Sequence, residues 1–192
     1  MNKKEFTPEQ QLDRIEEMIF KARLKLEENG FAYILWGITI AITSFLQAYL
    51  IHIEAYSISW YPYLVMLLVG LFTYFYYAKK ERKDKNPIDH IYSILWIIVA
   101  INIMLIAFDF GGYLKTNLNA IILILIGIAT FISDSFLRSS VTKISGLLLN
   151  LGGFIAFALP FKNQVLLMGT LGIVAVLIPG ILLSIKQKKK DV

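Results

Sequence analysis

The chain reads as an all-α, polytopic membrane helix bundle: six transmembrane helices preceded by a cytoplasmic amphipathic helix. Three observations carry this reading. First, six apolar stretches divide a sequence of 192 residues that is 57% hydrophobic, above the roughly 45–50% apolar usage of soluble domains. Second, the basic residues alternate. In chain order the tails and loops hold six, zero, five, one, two, one and four Lys and Arg, so 17 of the 19 fall on one side. Short segments rich in Lys and Arg are retained in the cytoplasm during insertion, which places both termini inside. Third, aromatic residues collect at the borders of the stretches, where amphipathic rings settle at headgroup level.

Six spans of about 20 residues would occupy about 120, leaving a 30-residue leading segment, short loops and a basic tail at 186–192, with no room for a separate soluble domain. The net charge of +5 is accounted for by basic residues at span ends, which set topology and meet anionic headgroups. Nucleic acid is therefore not an expected partner. With no cysteine in the sequence, disulfides, thiol catalysis and Cys-ligated metal are excluded. A charged segment precedes an apolar run long enough to span, so the first helix is expected to stay uncleaved and act as its own insertion signal. Abundant Ile, Lys and Asn hint at an AT-rich bacterial genome, hence a bacterial inner membrane.

The first element, residues 1–30, starts with Thr7-Pro8-Glu9-Gln10. Thr7 caps, Pro8 suits the first helical position, and Gln10 completes a capping box. Leu12, Ile15, Ile19, Ala22 and Leu26 then recur every three or four residues as one apolar stripe. Glu17 and Lys21 have the spacing of a helical ion pair, and Asn29-Gly30 supplies a stop.

The spans follow at about 31–51, 60–78, 88–108, 117–136, 144–160 and 164–185. Loop 52–59 has no Lys or Arg; Lys79 to Lys85 is a charged cytoplasmic loop; Asn86-Pro87 caps and starts the third span. Asp109 to Lys115 makes an outer turn, Arg138 to Lys143 the second inner loop, and Phe161 to Asn163 a tight outer turn. Phe31, Tyr33, Trp36, Tyr74, Tyr76, Tyr77, Tyr92 and Trp96 mark the inner border, and Trp60, Tyr61 and Tyr63 the outer one. Ile34-Leu35-Trp36 and Ile94-Leu95-Trp96 form a faint repeat, compatible with hairpin duplication and equally with chance.

The apolar stripe of the leading helix has three readings: on the bilayer surface, against the protein's own bundle, or on a partner. Its segment carries seven acidic and six basic residues, unlike a basic lipid anchor, which favours protein contact. Within the spans, Thr43, Gln47, Asn102 and Asn150 are polar groups that need partners in hydrocarbon and are expected to face the interior. They read either as interhelical hydrogen bonds or, with Asp134 and a break at Pro179-Gly180, as a polar path. Asp134 has Arg138 four residues on, an ion-pair spacing. His52 and His90 fall at opposite borders and cannot share a metal.

No Walker-type phosphate loop, H-E-x-x-H, G-x-S-x-G or selectivity-filter run occurs in the sequence. No catalytic residue, metal or cofactor is expected.

The segment Asn29-Gly30-Phe31-Ala32-Tyr33-Ile34-Leu35-Trp36-Gly37, following a short amphipathic helix, resembles the opening of an uncharacterised family of small six-span bacterial integral membrane proteins. Leu177-Ile178-Pro179-Gly180-Ile181-Leu182-Leu183 before a lysine tail is similar to their ending. The resemblance covers most of the chain. It implies a fold and a bacterial membrane location, and brings no active residues.

The expectation is thus a non-enzymatic interaction or regulatory module, with Leu12, Ile15, Ile19, Ala22 and Leu26 as the contact stripe. The alternative is a small transporter or channel with Thr43, Gln47, Asn102, Asn150 and Asp134 along its path. Expected partners are the lipid bilayer, a cytoplasmic or membrane protein, and a second copy of the chain.

Overall fold

A computed structural model describes Gln10, residues 12–14, 16–17, 30–81, 87–108, 111–114, 117–137 and 140–188. These residues are helical almost throughout, and no strand occurs among them. The helices are α1 (Gly30–His52), α2 (Leu64–Glu81), α3 (Pro87–Phe108), α4 (Leu118–Leu137), α5 (Ser140–Phe157), α6 (Phe161–Leu171) and α7 (Ile178–Lys188). A π-helical segment, Gly172–Leu177, joins α6 to α7 into one rod. Most of the amphipathic helix expected over residues 1–30 lies outside the described residues, including Ile15, Ile19, Ala22 and Leu26 of its stripe.

Among the described residues, five helices are long and apolar enough to cross a membrane: Gly30–His52, Tyr56–Tyr77, His90–Phe108, Ser140–Phe157 and Phe161–Ile185. Helix α4 has 20 residues, and its described apolar stretch is Leu118–Ser133.

Several borders also move, each for a local reason. The second span begins with a 3-10 turn, Tyr61–Tyr63, because Pro62 has no N–H to give and fits only the opening turn of a helix. Pro87 opens α3 in the same way. The expected outer turn at Phe161 to Asn163 is instead the first turn of α6. Pro160, with ψ 151°, is its N-cap, and its carbonyl accepts from the N–H groups of Asn163 and Gln164. Helix α5 starts at Ser140, four residues earlier than expected.

Helix α1 ends on an unusual residue. Glu54 has φ 61°. The N–H of Ala55 bonds the carbonyl of Leu50, and the N–H of Glu54 that of Ile51. This is the Schellman pattern, with Glu in the left-handed position that glycine usually fills.

The core runs between α1, α4, α5 and the α6–π–α7 rod. Its members are Tyr33, Ile40, Ala120, Leu123, Leu149, Ala156, Met168, Leu171, Ala175, Val176 and Leu183. Lipid is as apolar as leucine, so close van der Waals packing has to hold such helices together, and small residues permit it. Helices α4 and α5 are an antiparallel hairpin. Gly146 meets Phe131, Gly127 meets Asn150, and Gly153 meets Ile124, so steps of four and three on one helix match steps of four and three on the other. A Cβ on Gly146 would lie 2.5 Å from the Phe131 backbone nitrogen.

Helix α1 packs antiparallel on the rod: Ser44 lies against Gly169, Ala41 against Gly172, Gly37 against Leu177, and Gly30 against Ser184. From Ser44 back to Gly30 is 14 residues, whereas from Gly169 to Ser184 is 15. The extra residue falls between Gly172 and Leu177, within the π segment, whose wider turns absorb it. Pro179 follows immediately. It cannot donate to the carbonyl four residues back, and its ring would clash there in a regular helix. The expected break at Pro179-Gly180 is thus realised as a local change of pitch inside a continuous rod.

Helices α2 and α3 stand at the periphery. Only 11% of the Tyr56–Tyr77 span window is buried, and none of the His90–Phe108 window.

Candidate polar and aromatic sites of the bundle

Polar side chains are numerous in the interior. Thr39, Thr43, Ser44, Gln47, Asn119, Thr130, Ser133, Thr142, Ser145 and Gln164 are all buried. Most hydroxyls with a defined bond turn back on their own helix. Thr39 donates to the Leu35 carbonyl at 2.8 Å, Thr43 to Thr39 at 2.7 Å, Ser133 to Ala129 at 2.7 Å and Ser145 to Val141 at 2.9 Å. Each uses the carbonyl one turn earlier, which lets a small polar group sit in an apolar place without a partner helix.

The sequence-predicted path residues fall on four different helices. Thr43 and Gln47 share the buried face of α1. Asn150 is on α5, where its Nδ2 donates to the Gly146 carbonyl at 2.9 Å and packs against Gly127 of α4. Asn102 departs from the expected inward orientation. It is exposed on α3, with Nδ2 donating to the Ile98 carbonyl at 2.8 Å. That self-made bond reduces the cost of facing outward. Asp134 lies in α4 with its side chain outside the described residues. Leu12 is 62% exposed, the one stripe position the structure describes.

Two arrangements were not anticipated. At the end of the bundle away from the Lys79 to Lys85 loop, the Tyr63 hydroxyl lies 3.5 Å from Ser44 Oγ and 4.0 Å from Met168 Sδ. It thereby ties the 3-10 turn before α2 to both α1 and α6. The same end carries three buried side-chain amides with an atom lacking a hydrogen-bond partner: Gln47 Oε1, Asn119 Nδ2 and Gln164 Oε1. Gln164 donates from Nε2 to the Leu159 carbonyl at 3.0 Å. Outside this core, Lys162 Nζ lies 3.2 Å from His52 Nδ1 and bridges α6 to the end of α1. One signal was legible beforehand: Asn119 and Gln164 fall in the first turns of apolar helices, where a side-chain amide has few partners of its own.

At the opposite end, α1, α2, α3 and α4 contribute an aromatic cluster. Tyr92 of α3 is set beside Trp96, Ser133 of α4 and Tyr33 of α1, close enough for side-chain hydrogen bonding. The Tyr92 and Trp96 rings are 6.4 Å apart. The Tyr77 hydroxyl is buried without a hydrogen-bond partner, and its ring meets Tyr76 edge-on at 5.1 Å. Tyr76 contacts Phe31 of α1 at 5.4 Å and Phe72 at 6.2 Å. On its outer side the patch leaves Phe72, Tyr74 and Phe75 more than half exposed. These rings read from sequence as an interfacial belt; the spacing of Tyr92 and Trp96, four apart on one face, is the signal that some of them turn inward.

Among the described residues no group of three or more His, Cys, Asp or Glu is placed to hold a metal ion. The groove described between α1 and the start of α2 is almost wholly apolar, lined by Ile38, Ile42, Leu46, Pro62 and Val65 with Thr39 and Thr43. No protein-family model, curated protein or solved structure matches the chain.

Proposed function

We propose that the protein is a non-enzymatic, six-span integral membrane protein of the bacterial inner membrane, with both termini cytoplasmic, acting as an interaction or regulatory module. The bundle is the anchor, and the amphipathic leading helix with the Lys79 to Lys85 loop engages a protein partner. The placement of 17 of 19 basic residues on alternate segments supports the topology. Helix α4 supports a sixth crossing: its 20 residues rise about 30 Å, the thickness of the hydrocarbon core.

The observation that carries the reading is how the interior polar groups are used. Thr39, Thr43, Ser133, Ser145 and Asn150 are bonded to their own helices, and Asn102 faces outward. A polar path needs those groups to converge on one wet cavity. A bundle in which these hydroxyls and the Asn150 amide bond their own helices suits an anchor better than a conduit. The aromatic cluster lies at the basic end, where α1 begins at Gly30 directly after the leading helix.

The test is a crosslinked capture from native membranes, comparing the intact chain with an Ile15→Asp/Ile19→Asp double variant. Loss of a defined partner in a variant that inserts normally supports docking by the stripe. Unchanged capture overturns it. Solute uptake into vesicles that is lost in Asn150→Leu would favour the transporter alternative.

A further inference from the structure

Three side-chain amides form a polar layer over the core at the end away from the Lys79 to Lys85 loop. Gln164 is 1% exposed, and Gln47 and Asn119 are each 6% exposed. Each lies one turn beyond a residue already joined in the interior. The Tyr63 hydroxyl, 3.5 Å from Ser44 Oγ and 4.0 Å from Met168 Sδ, sets those two residues side by side. Gln47 lies three residues after Ser44 on the buried face of α1, and Gln164 four before Met168 on the buried face of α6. Leu123 belongs to the same core cluster as Met168, and Asn119 lies four residues before it on α4. Steps of three and four keep to one face of a helix. Helix α1 runs towards this end, whereas α4 and α6 start from it, so all three steps lead to the same level.

Each amide keeps one buried atom without a protein partner: Gln47 Oε1, Gln164 Oε1 and Asn119 Nδ2. The Gln164 amide is oriented by its Nε2, which donates to the Leu159 carbonyl at 3.0 Å, so its oxygen has to accept from elsewhere. The unmet set is two acceptors and one donor. A cation would meet the oxygens and be repelled by the N–H, and an anion the reverse. Water donates twice and accepts as well, the complement of this set, and about three hydrogen bonds are usual for a buried water. Solvent is close by. Asn119 is the second residue of α4, Gln164 the fourth of α6, and Gln47 lies five residues before the end of α1, about 8 Å along the helix. Beneath the layer lie the apolar Leu123, Met168 and Leu171, so the polar layer ends there.

We propose that Gln47, Asn119 and Gln164 together hold a buried water, which donates to both glutamine oxygens, accepts from the Asn119 amide and so ties α1, α4 and α6 to one another. The inference concerns the bundle alone and is independent of what the leading helix binds.

Gln47→Met and Gln164→Met keep the side-chain volume and remove the amide. They are compared singly and together by equilibrium unfolding of the full chain in mixed micelles. With a shared water, Gln47→Met lowers the folding equilibrium constant by roughly threefold or more, the average for an interhelical hydrogen bond. The double variant then loses less than the product of the two single effects by at least about twofold, because the second change removes a bridge already broken. Oxygens that share nothing give the reverse: Gln47→Met is neutral or stabilising, since it removes an unmet acceptor, and the effects multiply. A second measurement needs no variant. In the parent with isotope-labelled asparagine, magnetisation passes from a long-lived water to the Asn119 amide hydrogens. Melting temperatures in sodium, potassium and N-methylglucamine chloride at equal ionic strength are expected to agree. Independent effects of the two substitutions overturn the proposal, as does a Gln47→Met variant at least as stable as the parent, or the lack of a long-lived water at Asn119. So does a melting temperature raised by sodium or potassium in the parent and not in Gln47→Met, which would mean a cation on the amide oxygens.

Discussion

Gly37 of α1 lies directly on the backbone of Leu177 in the π segment: a Cβ at Gly37 would be 2.6 Å from the Leu177 nitrogen and 2.7 Å from its Cα. The contact is backbone to backbone, so neither side can yield by rotating a side chain. It also falls where the rod carries its extra residue.

Gly37→Ala is therefore expected to destabilise the bundle by about 1–3 kcal/mol, the usual cost of overpacking a tight contact. Gly70→Ala is the matched control. Its nearest neighbour would be Trp36 at 3.9 Å, ordinary van der Waals contact. There the gain in helix propensity, up to about 1 kcal/mol, should leave stability unchanged or higher. Thermal unfolding of both variants in one detergent separates them, and equal melting temperatures would count against the close packing of α1 on the rod.

Removal of Val174 should be tolerated better than removal of Leu166. Both are exposed, but Val174 lies in the π segment, where losing one residue returns the rod to a 3.6-residue turn and equalises the 14- and 15-residue intervals. Deleting Leu166 rotates everything beyond it by about 100° relative to α1. The folded fraction recovered on size-exclusion chromatography decides between them. Comparable loss from both deletions would mean that the π segment is needed for more than register.

Glu54→Gly should stabilise the protein by about 0.5–1 kcal/mol. The left-handed backbone at φ 61° is disfavoured for a residue with a Cβ and free of that penalty for glycine. The Schellman bonds from Ala55 and Glu54 do not involve the side chain and survive the change. A lower melting temperature would show that the Glu54 carboxylate contributes more than its backbone strain costs.

Thr43→Val should change stability by less than about 1 kcal/mol, because the hydroxyl bonds the Thr39 carbonyl of its own helix, and interhelical hydrogen bonds average only about 0.6 kcal/mol even where they exist. Equilibrium unfolding in mixed micelles measures this. A loss of several kcal/mol would reveal an interhelical or water-mediated role.

The helices themselves were legible in the residue order. Five apolar stretches of spanning length and Pro87 at a helix start reappear as structure, since length, hydropathy and proline chemistry act locally. Boundaries shifted where a single residue decided them: Pro160 as a cap drew Phe161 into α6, and Pro62 opened the second span with a 3-10 turn. The orientation of polar residues was much less legible. Thr43, Asn102 and Asn150 look alike as polar groups in apolar runs. One is buried on α1, one is exposed on α3 and one sits against a glycine of α4, because only packed neighbours determine which face of a uniformly apolar helix turns inward.

The sequence by itself determined that the chain is helical and rich in segments long and apolar enough for a membrane, since each segment satisfies its own backbone and its hydropathy needs no knowledge of the others. The tertiary structure decided which helices form the core and which stand outside it. It also decided that Gly37 meets a π segment, that Tyr63 reaches Ser44 and Met168, and that Asn102 is left exposed on α3. Those outcomes depend on the register between helices distant in sequence, set by small residues and steric fit that no single segment contains.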